Sequence, residues 1–236
     1  HRDLHSFPTR RSSDLVLYVL EKHQDLIEEI FLSKEIDSKL FSRFAKLNKK
    51  IHKVDNQKAQ ALAKGGNHQG LILKLSDYVY TPLKDIKNMN FIVVLDGLTD
   101  VGNIGAIART AYSLGVDGMI AADIKTISNS GTIRTSAGAL LDLPFAIHPR
   151  SVDLASELID AGFTLIGATM DGVDLKKYGK IEKTDKVAII LGNEGAGISP
   201  KVAKKLDLKV SIKMEHEFDS LNVSSAAAIL IYNLKR

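Results

Sequence analysis

The sequence predicts an α/β fold, a mostly parallel sheet with helices between its strands, preceded by a smaller α/β domain. Two observations carry this. From Phe91 onward six short segments (FIVVLD, GMIAA, PFAIH, FTLIGAT, KVAIILG and LKVSI) are apolar almost throughout, as strands are when both faces of their sheet are covered. Helical stretches separate them, among them NIGAIARTAYSLG, VDLASELIDAG and SPKVAKKL, and strands alternating with helices mark a parallel sheet. A last helix is expected in SLNVSSAAAILIYNLKR, where Val223, Ala226, Ala227, Leu230, Ile231 and Leu234 recur at helical spacing. Its stripe of Ala226, Ala227 and Leu230 suits close packing against a second copy of the chain.

Upstream the pattern is shorter and mixed. VLYVLEKH reads as a helix and EEIFLS as a strand. SKLFSRFAKLNKK reads as a basic helix with Leu40, Phe44 and Leu47 on one side. QKAQALAK is a short helix, and GGNHQGLILKL a glycine turn entering a strand. These elements place a small domain over 16–77. YVYTPLKDIKNMN, polar around Pro82, reads as a linker over 78–90, and 91–236 forms the larger domain. The opening HRDLHSFPTRRSSDL has no apolar periodicity, and its FPTRRSSDL resembles the conceptual translation of a sequencing adapter. Residues 1–15 are therefore expected to be an artefact or a disordered tail outside the fold.

Composition narrows the function. No apolar run approaches the ~20 residues of a membrane span. The chain has no cysteine, which excludes disulfides and thiolate metal sites and fits a cytoplasmic protein. Its seven histidines are scattered, and no metal site is expected. The net charge is only +4, but Lys34 to Lys64 holds nine Lys and Arg against three acidic residues, a local surplus of +6. Such a block suits a phosphate backbone. It suits a solvated helix face equally well.

Three motifs sit where strands or loops meet helices. In LDGLTDVGNIGAIARTAYSLGV, Asn103 stands at a helix mouth and Arg109 lies six residues on, in an otherwise apolar helix. Asn103 reads equally as a helix cap, and Arg109 as a salt-bridged surface residue. In AIILGNEGAGIS the glycines are spaced G-x-x-G-x-G, not the G-x-G-x-x-G of dinucleotide-binding turns. That spacing disfavours a nucleotide-dependent oxidoreductase. Glu194 among these glycines suits a cationic partner better than a pyrophosphate. In DSLNVSS, Ser220 and Asn222 read as caps or as site residues.

In this order, N-x-G-x-x-x-R, G-x-E-G-x-G and S-L-N-V-S resemble the three motifs of the SpoU/TrmH family of RNA ribose 2′-O-methyltransferases. The resemblance covers about 91–236, including SAGALLDLPF. Region 16–75 is similar to the family's small substrate-binding domain, which is related to RNA-binding ribosomal proteins. The pairing is most similar to the RlmB branch, guanosine methyltransferases of 23S rRNA. The resemblance implies a SPOUT-type fold with a C-terminal trefoil knot, a homodimer, and S-adenosyl-L-methionine as methyl donor. It implies that Arg109, Asn103, Glu194, Ser220 and Asn222 form the catalytic set, and that Gly192, Ile212, Met214 and Leu221 bind the cofactor, largely through backbone groups. The implied substrate is 23S rRNA or a ribosomal precursor. The alternatives are a tRNA 2′-O-methyltransferase and a non-catalytic RNA-binding protein that has kept the fold.

Overall fold

The computed structural model describes residues 4–6, 10–63, 68–177, 186–216 and 221–235, with side chains from residue 15 onward. In chain order the first elements are β1 (Leu4–Ser6), α1 (Arg10–Lys22), β2 (Ile27–Leu32), α2 (Ser38–Ala45), β3 (Lys50–Lys53), α3 (Asn56–Leu62) and β4 (Leu71–Leu75). Then come α4 (Leu83–Ile86), β5 (Phe91–Asp96), α5 (Val101–Ser113), β6 (Gly118–Ala122), α6 (Asn129–Thr135), β7 (Phe145–His148) and α7 (Ser151–Asp160). The last are β8 (Thr164–Asp174), β9 (Val187–Gly192), α8 (Pro200–Ala203), β10 (Leu208–Ser211) and α9 (Val223–Leu234). Contacts divide these into two compact units, residues 1–79 with 128–138, and residues 80–127 with 139–236.

The first unit is a four-stranded sheet in the order β1-β4-β2-β3. β2 runs antiparallel to β4 and parallel to β3. Ile27 and Ile30 are sealed in its core, and Leu15, Val16, Val19 and Leu20 form the buried face of α1. Phe31, Ala59, Ala63 and Ile72 make a second apolar cluster. The basic helix expected to reach Lys50 ends at Ala45. Asn48 takes a left-handed φ of 55°, a conformation Asn tolerates better than most residues, and the reversal frees Lys50–Lys53 to become an edge strand. Among the described residues, part of the stretch 1–15 expected outside the fold takes part in it. Leu4–Ser6 pair with the free edge of β4, α1 begins at Arg10, and Leu15 is buried. An unpaired strand edge offers backbone donors and acceptors to any extended segment, so β1 needs no apolar pattern of its own.

The second unit carries a six-stranded sheet, β10-β8-β9-β5-β6-β7, whose pairings are all parallel. Every residue of β5 and β6 is buried, which is why these strands read as unbroken apolar runs. On one face Ile92, Val94, Ile120, Ala188 and Ile190 pack with Leu154, Leu158 and Val202. On the other, α5 and α9 pack together and α9 lies against β9. The stretch expected as a linker belongs to this core. Ile86 of α4 is fully buried, with Leu83 and Met89 against the same cluster, because three-residue spacing gives this polar segment one apolar side. The Ala226–Ala227–Leu230 stripe is also corrected: Ala227 and Leu230 are sealed within the unit, so they fill its own core.

Successive strands step outward from β5 through β6 to β7 on one side, whereas β9, β8 and β10 lie on the other. The β5–β9 junction is thus a topological switch point, where the loops leaving two neighbouring strands part and leave a crevice beyond their carboxyl ends.

Candidate active site

Two loops and one helix start converge at that crevice. After β5 the chain turns at Gly97 and enters α5. Asp100 is the cap of α5, its Oδ1 accepting from the Asn103 backbone N–H at 2.7 Å. Asn103 is therefore not the cap, and its side chain is released for another use. Its Nδ2 donates to Glu194 Oε1 at 2.9 Å.

The loop after β9 is closed on itself. Asn193 and Gly197 exchange both backbone hydrogen bonds, at 3.1 and 2.8 Å. The Asn193 side chain ties the loop down, donating to the Gly97 carbonyl at 3.1 Å and accepting from Gly195 N–H at 2.9 Å. The buried carboxylate of Asp96, at the end of β5, accepts from Ser199 N–H at 2.8 Å. Glu194 sits at the tip of this clamp. A Cβ on Gly192 would overlap the Gly197 carbonyl and the Ile198 nitrogen, so glycine here permits the loop to fold back on its own strand.

The third contribution is the start of α9. Asn222 caps it, Oδ1 accepting from Ser224 N–H at 2.9 Å, and its other end does separate work. Nδ2 donates to Asn103 Oδ1 and to Glu194 Oε1, both at 3.0 Å. Asn103, Glu194 and Asn222 thus close a hydrogen-bonded triangle across separations of 91, 28 and 119 residues. Glu194 Oε1 is doubly engaged, and Oε2 is left without a partner among the described residues.

Arg109 is on α5, about 9 Å along the helix axis from Asn103, and is not drawn into the triangle. Its side chain is exposed and makes no hydrogen bond or ion pair among the described residues. The salt-bridged surface reading therefore finds no partner for it. Ser220 lies outside the described residues.

Beside the triangle is a cavity of about 690 Å³. Ile212, Met214 and Leu221 all line it; Gly192 does not. Leu221 precedes the triangle's Asn222, and Gly197 of the Glu194 loop forms another part of the wall. β8 contributes Thr169 and Asp171. Lys209, with Nζ 3.2 Å away, holds the Asp171 carboxyl below its ordinary value. The Thr169 hydroxyl beside it lowers that carboxyl further; this hydroxyl is sealed from solvent and makes no hydrogen bond of ordinary geometry among the described residues.

The sequence pattern of the SpoU rRNA Methylase family matches residues 90–232, and that of the RNA 2′-O ribose methyltransferase substrate-binding domain matches residues 14–81. The chain belongs to the SpoU family. It is 31% identical over 222 residues to an uncharacterized tRNA/rRNA methyltransferase of Borreliella burgdorferi, covering 88% of this chain and 96% of that protein. It is 30% identical to a putative TrmH family tRNA/rRNA methyltransferase of Staphylococcus aureus, covering 79% and 77%. Its fold is similar to that of the AdoMet-bound rRNA methyltransferase of Sinorhizobium meliloti, with a TM-score of 0.77 at 24% identity over 98% of this chain and 86% of that one. The SpoU methyltransferase AviRb of Streptomyces viridochromogenes gives a TM-score of 0.74 at 23% identity over 93% and 86%.

As a SpoU-family member the chain is an RNA methyltransferase. Around its motif residues stand supports that motif reading missed. Asn193 lies inside the second motif, but its clamp on Gly97 spans 96 positions, and no local pattern signals it. Asp96 was visible as an acid ending an apolar strand. Thr169 and Asp171 carried no signal, because they fall in the continuation of a strand already accounted for by its apolar start.

Proposed function

We propose that the chain transfers a methyl group from S-adenosylmethionine to a ribose 2′-hydroxyl of RNA, with a guanosine in 23S rRNA or its ribosomal precursor as substrate. The observation that carries this is the Asn103–Glu194–Asn222 triangle. It is an exposed polar network at a switch-point crevice, adjoining a ligand-sized cavity. The cavity suits the cofactor in chemistry as well as in volume. Apolar walls of Ile212, Met214 and Leu221 are matched to an adenine face, and Asp171 to a cationic group.

The cofactor supplies an electrophilic methyl carbon, and this chain's residues do the rest. A ribose must be aligned so that its 2′-oxygen attacks in line. Glu194 Oε2 and the spare Asn103 amide hydrogen are the groups available to orient the hydroxyl. Arg109 carries a positive charge that is unpaired among the described residues. A guanidinium holds its proton too firmly to act as a base near neutrality, so its work is to hold the adjacent phosphate and offset the negative charge that develops on the 2′-oxygen. Ser220, one residue before Leu221, belongs to the same reading, as does a backbone role for Gly192 at the cofactor. The 2′-hydroxyl is also what makes RNA rather than DNA the substrate.

A homodimer, a cytoplasmic location and a trefoil knot accompany this reading. The dimer is supported by the exposed flank of α9, where Tyr232 is 73% exposed, and by exposed Tyr112 on its neighbour α5. The knot is supported by the path of the chain, which enters β9 between β8 and β5 and then returns outside β8 as β10. Among the described residues no helix is long and apolar enough to cross a membrane.

The test is single-turnover methyl transfer to fragments of 23S rRNA and to tRNA, with the product ribose mapped. Arg109→Ala is expected to keep cofactor affinity and to lose transfer by ~10²-fold or more. Transfer at the parental rate makes Arg109 a structural residue. Transfer to tRNA alone replaces the rRNA assignment with the tRNA one.

A further inference from the structure

The first unit holds a feature the methyl-transfer chemistry does not use. β2 and β3 are its parallel pair, and beyond their carboxyl ends lies a cavity of about 430 Å³ lined by Ser33, Lys34, Ile36, Phe41, Lys53 and Val54, with Leu32 and Glu35 completing it. A second cavity of about 480 Å³ adjoins it across Ser33 and Lys34, and its walls are polar, with Asn56, Gln60, His68 and Gln69. Both are built on tied backbone. Ser33 N–H donates to the Gly70 carbonyl and Val54 N–H to the Leu32 carbonyl, each at 2.9 Å. Gly70 has a φ of +86°, and a Cβ there would overlap the Lys34 side chain. The glycine lets Lys34 lie across the turn, between the two cavities.

Phe41 is 41% exposed although it is large, apolar and at the start of a helix. An aromatic face left in water beside two lysines is costly for a purely structural residue and useful for stacking a planar, anionic ligand. Lys34 and Lys53 line the first cavity, and Lys39, Lys46, Lys49, Lys50 and Lys58 of the same basic stretch are all exposed. Among the described residues Glu35 is the one carboxylate that lines the first cavity. It repels phosphate and suits the exocyclic amine of a base.

We infer that this pair of cavities is a binding site for unpaired nucleotides of the RNA substrate: one base stacks on Phe41 between Ile36 and Val54, Lys34 and Lys53 hold the flanking phosphates, and the next base meets the amides of Asn56 and Gln60. The inference rests on the reading of the chain as an RNA methyltransferase and adds that its first unit selects single-stranded RNA over duplex. Duplex bases are already stacked on one another and cannot reach a pocket, whereas loop bases can be splayed out.

The experiment uses the full chain and an RNA hairpin with an adenosine loop carrying one 2-aminopurine, beside a fully paired duplex of the same length. Binding of the hairpin should quench the 2-aminopurine. Phe41→Ala should lower hairpin affinity about tenfold and abolish the quench, leaving duplex affinity unchanged. Phe41→Trp should restore both. Lys34→Gln should flatten the salt dependence of hairpin binding by about one phosphate contact. Unchanged hairpin affinity in Phe41→Ala, or an equal loss for hairpin and duplex, overturns the site and leaves only a basic surface. S-adenosylmethionine affinity, measured on the same variants, should stay parental because its cavity is in the second unit. Failure here therefore leaves the methyl-transfer reading standing, and failure of that reading shows instead in the Arg109 variant.

Discussion

Asn222 holds two jobs on one side chain, and replacing it with aspartate separates them. Aspartate caps a helix as well as asparagine does, so Asn222→Asp keeps the acceptor that Ser224 N–H uses. It removes the Nδ2 donor and sets a carboxylate where Glu194 Oε1 now lies 3.0 Å away. Both residues are exposed, so the repulsion is that of two charges in water, roughly 1 kcal/mol at this distance. The two lost hydrogen bonds, both in exposed positions, add about 1 kcal/mol each. A total of roughly 3 kcal/mol taken from a domain stable by as little as about 5 kcal/mol still leaves more than nine molecules in ten folded. Methyl transfer should nevertheless fall ~10²-fold, because Glu194 is pushed off Asn103 and the group that orients the ribose is misplaced. Urea unfolding and single-turnover transfer measure the two effects on one preparation. Relative to the parent, the variant should recover as pH falls, because two neighbouring carboxylates raise the pKa of one and its proton restores a donor. A variant that transfers methyl groups at the parental rate reduces the triangle to a helix start, and the site assignment falls with it.

Three further outcomes are expected. Thr169→Val should raise the thermal midpoint, because a sealed hydroxyl without a hydrogen-bond partner among the described residues is removed; a lowered midpoint would mean that the hydroxyl serves Asp171. Gly192→Val should destabilise the second unit through the clash with Gly197 and Ile198, seen as a lowered thermal midpoint without cofactor present, whereas a midpoint that holds would mean the loop relaxes freely. In the first unit Lys74, donating to Glu29, holds the Glu29 carboxyl below its ordinary 4.5, and His52 adds to it. A depressed carboxyl contributes stability above its unfolded pKa and loses it as pH falls through the folded value, so Glu29→Gln should flatten the acid limb of stability below about pH 4.5; an unaltered limb would mean the pair contributes nothing measurable.

The central strands β5, β6 and β9 were legible because burial on both faces leaves almost no exposed position to confuse the pattern. Legibility failed where an element is defined by something other than its own side chains. β3 reads K-I-H-K and is a strand only because β2 offers it an edge. β1 exists for the same reason on β4. α4 is one turn long in a polar stretch, and only Ile86 seated in the core reveals it as packed chain. Residues 128–138 group with the first unit though they lie deep in the sequence of the second, a partition that no stretch-by-stretch reading produces.

The site divides in the same way. Motif spacing named Asn103, Glu194 and Asn222 together, but their local roles pointed elsewhere, since two asparagines at helix starts are most simply caps. Only Asn222 caps a helix. Asn103 stands three residues inside α5, whose cap is Asp100, and Glu194 caps nothing. Neither side chain supports an element of the fold, and as surface polar groups, Glu194 exposed and Asn103 half-buried, they contribute little to its stability. Yet both are held in fixed geometry by groups the fold does commit: Asp96 and Asn193 anchor the Glu194 loop, and the α9 cap fixes the amide that meets them. Rigid support given to side chains without structural work of their own is what a reacting centre requires, because misplacement by about 1 Å is enough to cost a hundredfold in rate. Arg109 fits the same logic from the other side. Exposed and unpaired among the described residues, it is left for the RNA phosphate to position. Its contribution should therefore appear only with RNA bound, in the transfer step and not in cofactor affinity.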